Sequence, residues 1–479
     1  MTPSETTGSS GRRLETDPES FEAWGMNARC SAPVFRPGTV DELRDALRAA
    51  GDAGTAAGLR GAGCSYGDAS LTTDGCIVDF RRWNHILSFD KQSGILVAEP
   101  GVTIEQVWRE ALPHGWWPPV VPGTMFPTLG GCLAMNIHGK NNFQAGTIGR
   151  HVRSFDLMLA DGTVETCSED TNQALFRAAI GGFGMLGAFT RIELQLKRVH
   201  SGDLEVQAHS CANLGEMVAH FEEQSESCDY LVGWVDAFGG GRGLVHQASY
   251  PKRGAVANPA ETLEPSHQDL PPRFFGIIPR SWIWWGLWCF FHKPGMRLVN
   301  ALKYRLGRSH AGRSPYHQSL VGFSFLLDYV PRWKYAYKPG AFIQYQTFVP
   351  KENAVATFEA QLRLCKEHGI VPFLGVLKKH LPDPFLMTHA VDGYSLALDL
   401  PLPRGGRERL WRLAHAMDDV VIGAGGRFYL AKDSTLTAEG FQAAYPPENL
   451  ARFLELKREL DPERLFQTDL SRRLLTPPE

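Results

Sequence analysis

The 479-residue sequence has no C-x-x-C pair, and its nine cysteines are odd in number and scattered, so neither a disulfide framework nor a zinc knuckle is indicated. A reducing compartment fits that usage. An excess of one charge is also missing. The 49 Lys+Arg against 52 Asp+Glu leave a net −3, which argues against a polyanion such as nucleic acid as partner. No run approaches the ~20 apolar residues of a membrane-spanning helix. Residues 1–20 are rich in Ser, Thr and Glu and lack the apolar stretch of a secretory signal, so a solvated tail and a cytoplasmic location are expected. What remains, 43% hydrophobic and 21% charged, is ordinary globular composition. At roughly 100–200 residues per domain the length allows two or three.

Short strands and helices alternate from Phe35 onward. Thr39 followed by Glu42 predicts a capping box opening a helix over 39–50, and a second capped helix is expected over 103–112. Strands are expected over 55–59, 76–80, 95–99, 188–196, 231–236 and 341–350. Asp161-Gly162 predicts a hairpin within 154–166, and helices are expected over 172–180, 354–368 and 407–420. The Pro- and Glu-rich stretch 251–273 reads as a mobile loop. Residues 282–291 hold four tryptophans and precede Lys293, Arg297, Lys303, Arg305, Arg308 and Arg313. That pattern suits an interfacial segment at a membrane surface, and equally a core helix or a protein contact.

Three glycine-rich turns organise the first 190 residues. Gly182, Gly184 and Gly187 match G-x-G-x-x-G, but the expected helix precedes them and a strand follows. A nicotinamide fingerprint needs the reverse order and is rejected. Arg60-Gly61-Ala62-Gly63-Cys64-Ser65-Tyr66-Gly67-Asp68 and the run from Pro122-Gly123-Thr124 through Thr128-Leu129-Gly130-Gly131 permit tight turns and close backbone approach to a phosphate. The second runs on into Met135-Asn136-Ile137-His138-Gly139-Lys140-Asn141.

In this order the three turns resemble the vanillyl-alcohol-oxidase-type (PCMH-type) FAD-binding flavoproteins. Within them they are most similar to the decaprenylphosphoryl-β-D-ribose 2′-oxidases. The likeness extends to Phe342-Ile-Gln344-Tyr-Gln346, Phe373-Leu-Gly-Val-Leu-Lys378, the segment from Gly426 through Tyr429 and Lys432 to Ser434, and the stretch 460–474, with a weaker middle over 201–319. The resemblance implies an α+β fold: a two-subdomain FAD-binding domain over 21–200, a substrate domain with an antiparallel sheet over 201–425, and a return to the first domain over 426–479. By the same resemblance Arg60–Gly67, Gly123, Thr128–Gly131, Met135–His138, Gly187, Phe189 and Tyr429 would bind FAD. Relatives that attach flavin through a histidine carry it where this chain has Cys64, and a second cysteinyl link would fall at Phe126. Non-covalent FAD is therefore expected.

Oxidising a secondary alcohol needs a hydride acceptor and a group that takes the hydroxyl proton. By the resemblance Lys432 is the candidate base, with Tyr66 and His138 beside it; on local sequence alone the other reading is a surface pairing of Lys432 with Asp433. His138 has no metal-type histidine partner, so no metal site is expected. By the same resemblance Lys140, Lys378, Gln344, Gln346, Trp234 and Ala397 would meet substrate, the lysines suiting phosphate and the glutamines sugar hydroxyls. Two departures touch specificity: Ala397 replaces the family's pocket cysteine, and Ser324 replaces a pocket phenol. The implied reaction is oxidation of a sugar secondary alcohol, foremost the 2′-hydroxyl of a polyprenyl-phospho-pentose. An NAD(P)H-dependent ketoreductase would then complete an epimerisation of a cell-wall precursor. Oxidation of a soluble alditol, nucleoside or aldonolactone is the alternative, and a non-catalytic flavoprotein of an assembly is another.

Overall fold

The computed structural model describes residues 17–255, 258–274 and 277–475. A hairpin of β1 (Glu19–Glu22) and β2 (Arg29–Ala32) leads in. Residues 19 and 20 therefore belong to a strand, not to the expected tail, whose residues 1–16 lie outside the described part. β3 (Val34–Phe35), β4 (Ala56–Arg60) and β5 (Gly75–Asp79) form a parallel sheet in the order β3-β5-β4. Helix α1 (Val40–Asp52) crosses between β3 and β4 and buries Leu43, Ala46, Leu47 and Ala50, a stripe at helical spacing. Thr39 caps it, accepting from Glu42 N at 3.2 Å, but the box closes differently from expectation. The Glu42 carboxylate reaches past the cap to accept from Gly38 N at 2.7 Å.

Five antiparallel strands follow in the order β9-β8-β10-β7-β6: β6 (Ile86–Phe89), β7 (Ile95–Ala98), β8 (Val152–Met158), β9 (Val164–Ser168) and β10 (Ala188–Gln195). Gly162 at φ +84° makes the β8–β9 turn that Asp161-Gly162 predicts. Helices α2 (Ile104–Ala111), with a complete Thr103/Gln106 capping box, α3 (Leu129–Ala134) and α4 (Gln173–Ala179) are inserted between these strands. The glycines at 182–187 thus lie after a helix and before a strand.

The larger antiparallel sheet has eight strands: β11 (Asp203–Cys211), β12 (Tyr230–Asp236), β13 (Arg242–Ser249), β14 (Tyr316–Ser319), β15 (Ala341–Pro350), β16 (Leu374–His380), β17 (Gly393–Leu402) and β18 (Arg427–Phe428). Their order is β14-β11-β13-β12-β16-β17-β15-β18. Helices α5 (Leu214–Gln224), α8 (Lys351–Glu367) and α9 (Arg407–Gly423) pack on this sheet. Residues 251–273 are not a free loop where described: Gln268 is buried, donates to Gly202 O and Thr262 O at 2.8 Å each, and accepts from Val321 N at 3.0 Å. A side chain with three buried bonds pins the segment.

Helix α6 (Ile283–Trp288) carries the tryptophans and α7 (Lys293–His310) follows it. Trp282 and Trp285 stay 68% and 67% exposed, so the segment is not a core helix. Helices α10 (Pro447–Leu460) and α11 (Asp469–Leu475) bring the chain back to the parallel sheet, where Ala57 N donates to Leu465 O at 2.7 Å and Gln467 N to Ala57 O at 3.2 Å. Among the described residues no helix is long and apolar enough to cross a membrane.

Candidate active site

Side chains directly opposite in an antiparallel sheet share a face, and alternate residues switch faces. In the large sheet His246 pairs with Val232, Trp234 with Leu244 and Val376, Ala397 with Val376 and Gln346, Lys378 with Ser395, and Gln344 with Asp399. All therefore lie on one face. The other face belongs to the helices: Tyr345 donates to Asp418 of α9 at 2.8 Å, and Gln361 of α8 donates to Thr347 at 3.0 Å.

The polar face walls a cavity of about 470 Å³ whose opposite wall is made by the glycine turns. Arg60–Tyr66, Gly123, Thr128, Gly130, Gly131, Met135, Ile137, His138, Lys140, Gly187, Phe189, Trp234, Gln344, Gln346, Lys378, Ala397, Tyr429 and Lys432 all line it. Three residues expected to bind cofactor do not. Gly67 packs where a Cβ would stand 2.0 Å from Asp433 O, so it lets the first glycine turn touch the Lys432 segment. Leu129 is buried in the apolar core. Asn136, at φ +44°, donates to Asp383 at 2.9 Å and accepts from Gly149 N at 3.1 Å, locking a turn.

Lys432 Nζ stands 3.6 Å from the Tyr66 ring centroid, and burial draws its pKa down to about 7, partly opposed by the Asp399 carboxylate. Asp433 is not its partner. That carboxylate accepts from Arg473, Thr435 N and Leu436 N, and Arg473 also donates twice to Asp68, at 2.8 and 2.9 Å. One guanidinium thereby clamps the first glycine turn to the lysine segment. Asp399 is buried, its carboxyl pushed up to about 6 by desolvation, and accepts from Gln344 at 2.5 Å.

Gln346 donates to His138 Nε2 at 3.0 Å, which puts the imidazole proton on Nδ1, and that buried atom finds no partner. Burial first, then the Lys378 charge, holds His138 well below its ordinary pKa, so it is neutral. Behind it Asn142 donates to His380 Nδ1 at 2.8 Å and His380 Nε2 meets Ser395 at 2.7 Å. The Tyr66 hydroxyl is likewise buried without a partner, and burial keeps it protonated. Burial also lowers Lys140 to about 7 and Lys378 to about 8.

Sequence reading missed Lys303 of α7, Nζ 4.4 Å from the Trp234 ring, and His246 of β13; both line the cavity. No local motif marks either one, since sheet register and helix crossing alone bring them there. Among the described residues no group of three or more His, Cys, Asp or Glu is placed to hold a metal.

The turn wall fits a dinucleotide. A Cβ at Gly131 would meet only Thr128 Oγ1, at 3.2 Å, and one at Gly123 only the Leu327 side chain, at 3.4 Å or more, so either would fill cavity space. The main-chain N–H groups of Ala62, Gly63 and Cys64 have no acceptor among the described residues. Backbone donors free of side-chain cover suit a diphosphate, and the unpartnered His138 Nδ1 and Tyr66 hydroxyl suit a polar ring and substrate.

Comparison with known proteins agrees. Residues 31–168 match the family described as FAD binding domain. The decaprenylphosphoryl-β-D-ribose oxidase of Mycolicibacterium smegmatis is 30% identical over 96% of this chain and 98% of its own. The L-gulonolactone oxidase of Mus musculus is 28% identical over 36% of this chain and 40% of its own. For the mitochondrial D-2-hydroxyglutarate dehydrogenase of Rattus norvegicus the identity is 28%, over 46% of each.

Proposed function

This chain belongs to the PCMH-type FAD-binding flavoprotein family of decaprenylphosphoryl-β-D-ribose oxidase and is an FAD-dependent oxidoreductase; from that premise we propose that it oxidises a secondary alcohol of a sugar to a ketone, at the 2′-hydroxyl of a polyprenyl-phospho-pentose. The observation that carries the reading is Lys432 on the Tyr66 ring, beside a sheet face that offers Gln344 and Gln346. When bound, FAD supplies the hydride acceptor. Lys432 Nζ, drawn down to about 7, takes the hydroxyl proton near neutral pH. The Tyr66 face and the Asp399 carboxylate stabilise the ammonium that results. Gln344, fixed by Asp399, and Gln346, fixed against His138, orient the sugar hydroxyls. On this reading the cofactor is held without a covalent bond, Cys64 standing where relatives attach flavin through a histidine, and burial pushes its thiol up to about 11.

The polyprenyl chain calls for a lipid surface. Trp282, Trp285, Trp288 and Phe290 are exposed next to Leu298, Leu302 and Leu306 of α7, and Arg297, Arg305 and Arg308 stand among them. Exposed indoles and leucines interleaved with cations suit an anionic bilayer. The ketone product would be consumed by an NAD(P)H-dependent ketoreductase.

Anaerobic mixing of the FAD-loaded protein with a short-chain prenyl-phospho-pentose should bleach the flavin absorbance, and free alditols should not. Bleaching by alditols alone would replace the substrate assignment, and protein that refuses FAD would overturn the reading altogether.

A further inference from the structure

Among the described residues that line the cavity there is no Asp or Glu, yet Arg60, Lys140, Lys303, Lys378 and Lys432 all do. None of the four lysines takes part in an ion pair. Cations crowded into a low-dielectric space without counter-charge are costly unless an anion joins them. Lys432 has the Tyr66 face and the Asp399 field, and Arg60 is engaged by Ser70 and by Glu22 O. At the β12–β13 corner the lysines meet aromatic rings and one carbonyl but no carboxylate. His246 of β13 faces the cavity, and the two charges that act on it most are Lys303 and Lys140. Lys303 reaches across the Trp234 ring from α7 at 4.4 Å and, as an exposed residue that lines the cavity, stands at its mouth. Lys140 lies 4.5 Å from the Phe323 ring and donates to Phe323 O, leaving ammonium protons to spare.

We propose that Lys303, His246 and Lys140 form a phosphate-binding subsite that holds the phosphoryl group of the substrate at the β12–β13 corner, apart from the carbinol at Lys432. This rests on the phosphorylated pentose named above and gives it an orientation: sugar toward Gln344 and Gln346, phosphate under α7. Since α7 also carries Leu298, Leu302 and Leu306 on its exposed side, a lipid tail leaving the phosphate would meet that helix's apolar surface.

The test compares Lys303→Met, His246→Gln and, as a control on the helix-covered side of the sheet, the exposed Lys366→Met of α8, each FAD-loaded and checked for native flavin absorbance. With a short-chain prenyl-phospho-pentose, Lys303→Met should raise KM about tenfold with kcat changed less than about twofold, as loss of one charge-assisted bond predicts. Lys303→Arg should restore it, and a methyl pentoside without phosphate should not distinguish the variants. Calorimetric binding of methyl phosphate gives a readout without turnover: the wild type and Lys366→Met bind, Lys303→Met binds about tenfold more weakly. Inorganic phosphate, run alongside, separates a site for phosphate esters from one for the free ion. If no pentoside bleaches the flavin, the substrate reading fails while methyl phosphate still decides the subsite. Equal losses on phosphorylated and unphosphorylated pentosides, or methyl phosphate binding that is absent or indifferent to Lys303, overturns the inference.

Discussion

The two faces of the eight-stranded sheet are built from the same strands and differ in what they leave undone. On β15, Tyr345 and Thr347 turn toward the helices, where Asp418 and Gln361 bond to them and Phe358 is fully buried. One residue either side, Gln344 and Gln346 turn toward the cavity, where His138 Nδ1 and the Tyr66 hydroxyl lack partners and lysines lack counter-ions. The helix-covered face pairs most of its polar groups, Gln361 Oε1 being left over there, and so stabilises the fold. The cavity face, held in place by it, keeps cations and ring donors unpaired and is prepared for something else to bind.

The sharpest way to break this contrast is Lys432→Met. It should slow flavin reduction by about 10²–10⁴, the range of a lost general base, while FAD stays bound and the melting temperature holds; rapid-mixing absorbance measures it, and normal turnover would remove Lys432 from the chemistry. On the reverse face Phe358→Ala should do the opposite, costing about 3–5 kcal/mol of stability in denaturant titration with the folded fraction as active as before. A smaller effect follows from protonation. Lys432 acts in its neutral form, whose population rises with pH, so kcat/KM should climb about tenfold per unit below about 7 and level off above it. Asp399→Asn removes the charge that favours the ammonium, so the midpoint should move to lower pH; an unmoved profile would separate Asp399 from Lys432.

Local chemistry made much of the molecule legible. Thr39 and Thr103 mark helix starts, Asp161-Gly162 marks a hairpin, and the strand expected over 341–350 is β15. The order of the glycine turns pointed to FAD through the family it resembles; by themselves they told only of close backbone approach to a phosphate. Where information is non-local, reading failed. Lys303 reaches the cavity only because α7 crosses β12, and His246 only because β13 pairs with β12 in one register. Gln268 ties down a stretch whose composition signals a loop, through partners some 50–70 residues away. Gly67 and Asn136 sit inside motifs that suggest cofactor contact, yet they do not line the cavity and their packing and hydrogen bonds hold turns together.

The clamp made by Arg473 carries a consequence for how the molecule comes into being. Every residue that lines the cavity precedes it in the chain, the last of them, Lys432, by some forty positions. During translation, then, all the reactive groups leave the ribosome before the one guanidinium that draws Asp68 and Asp433 together. A polypeptide cut short before it would keep the bond from Tyr66 N to Ala431 O, at 2.9 Å, and the packing of Gly67 on Asp433, but would lose the ionic tie across that seam.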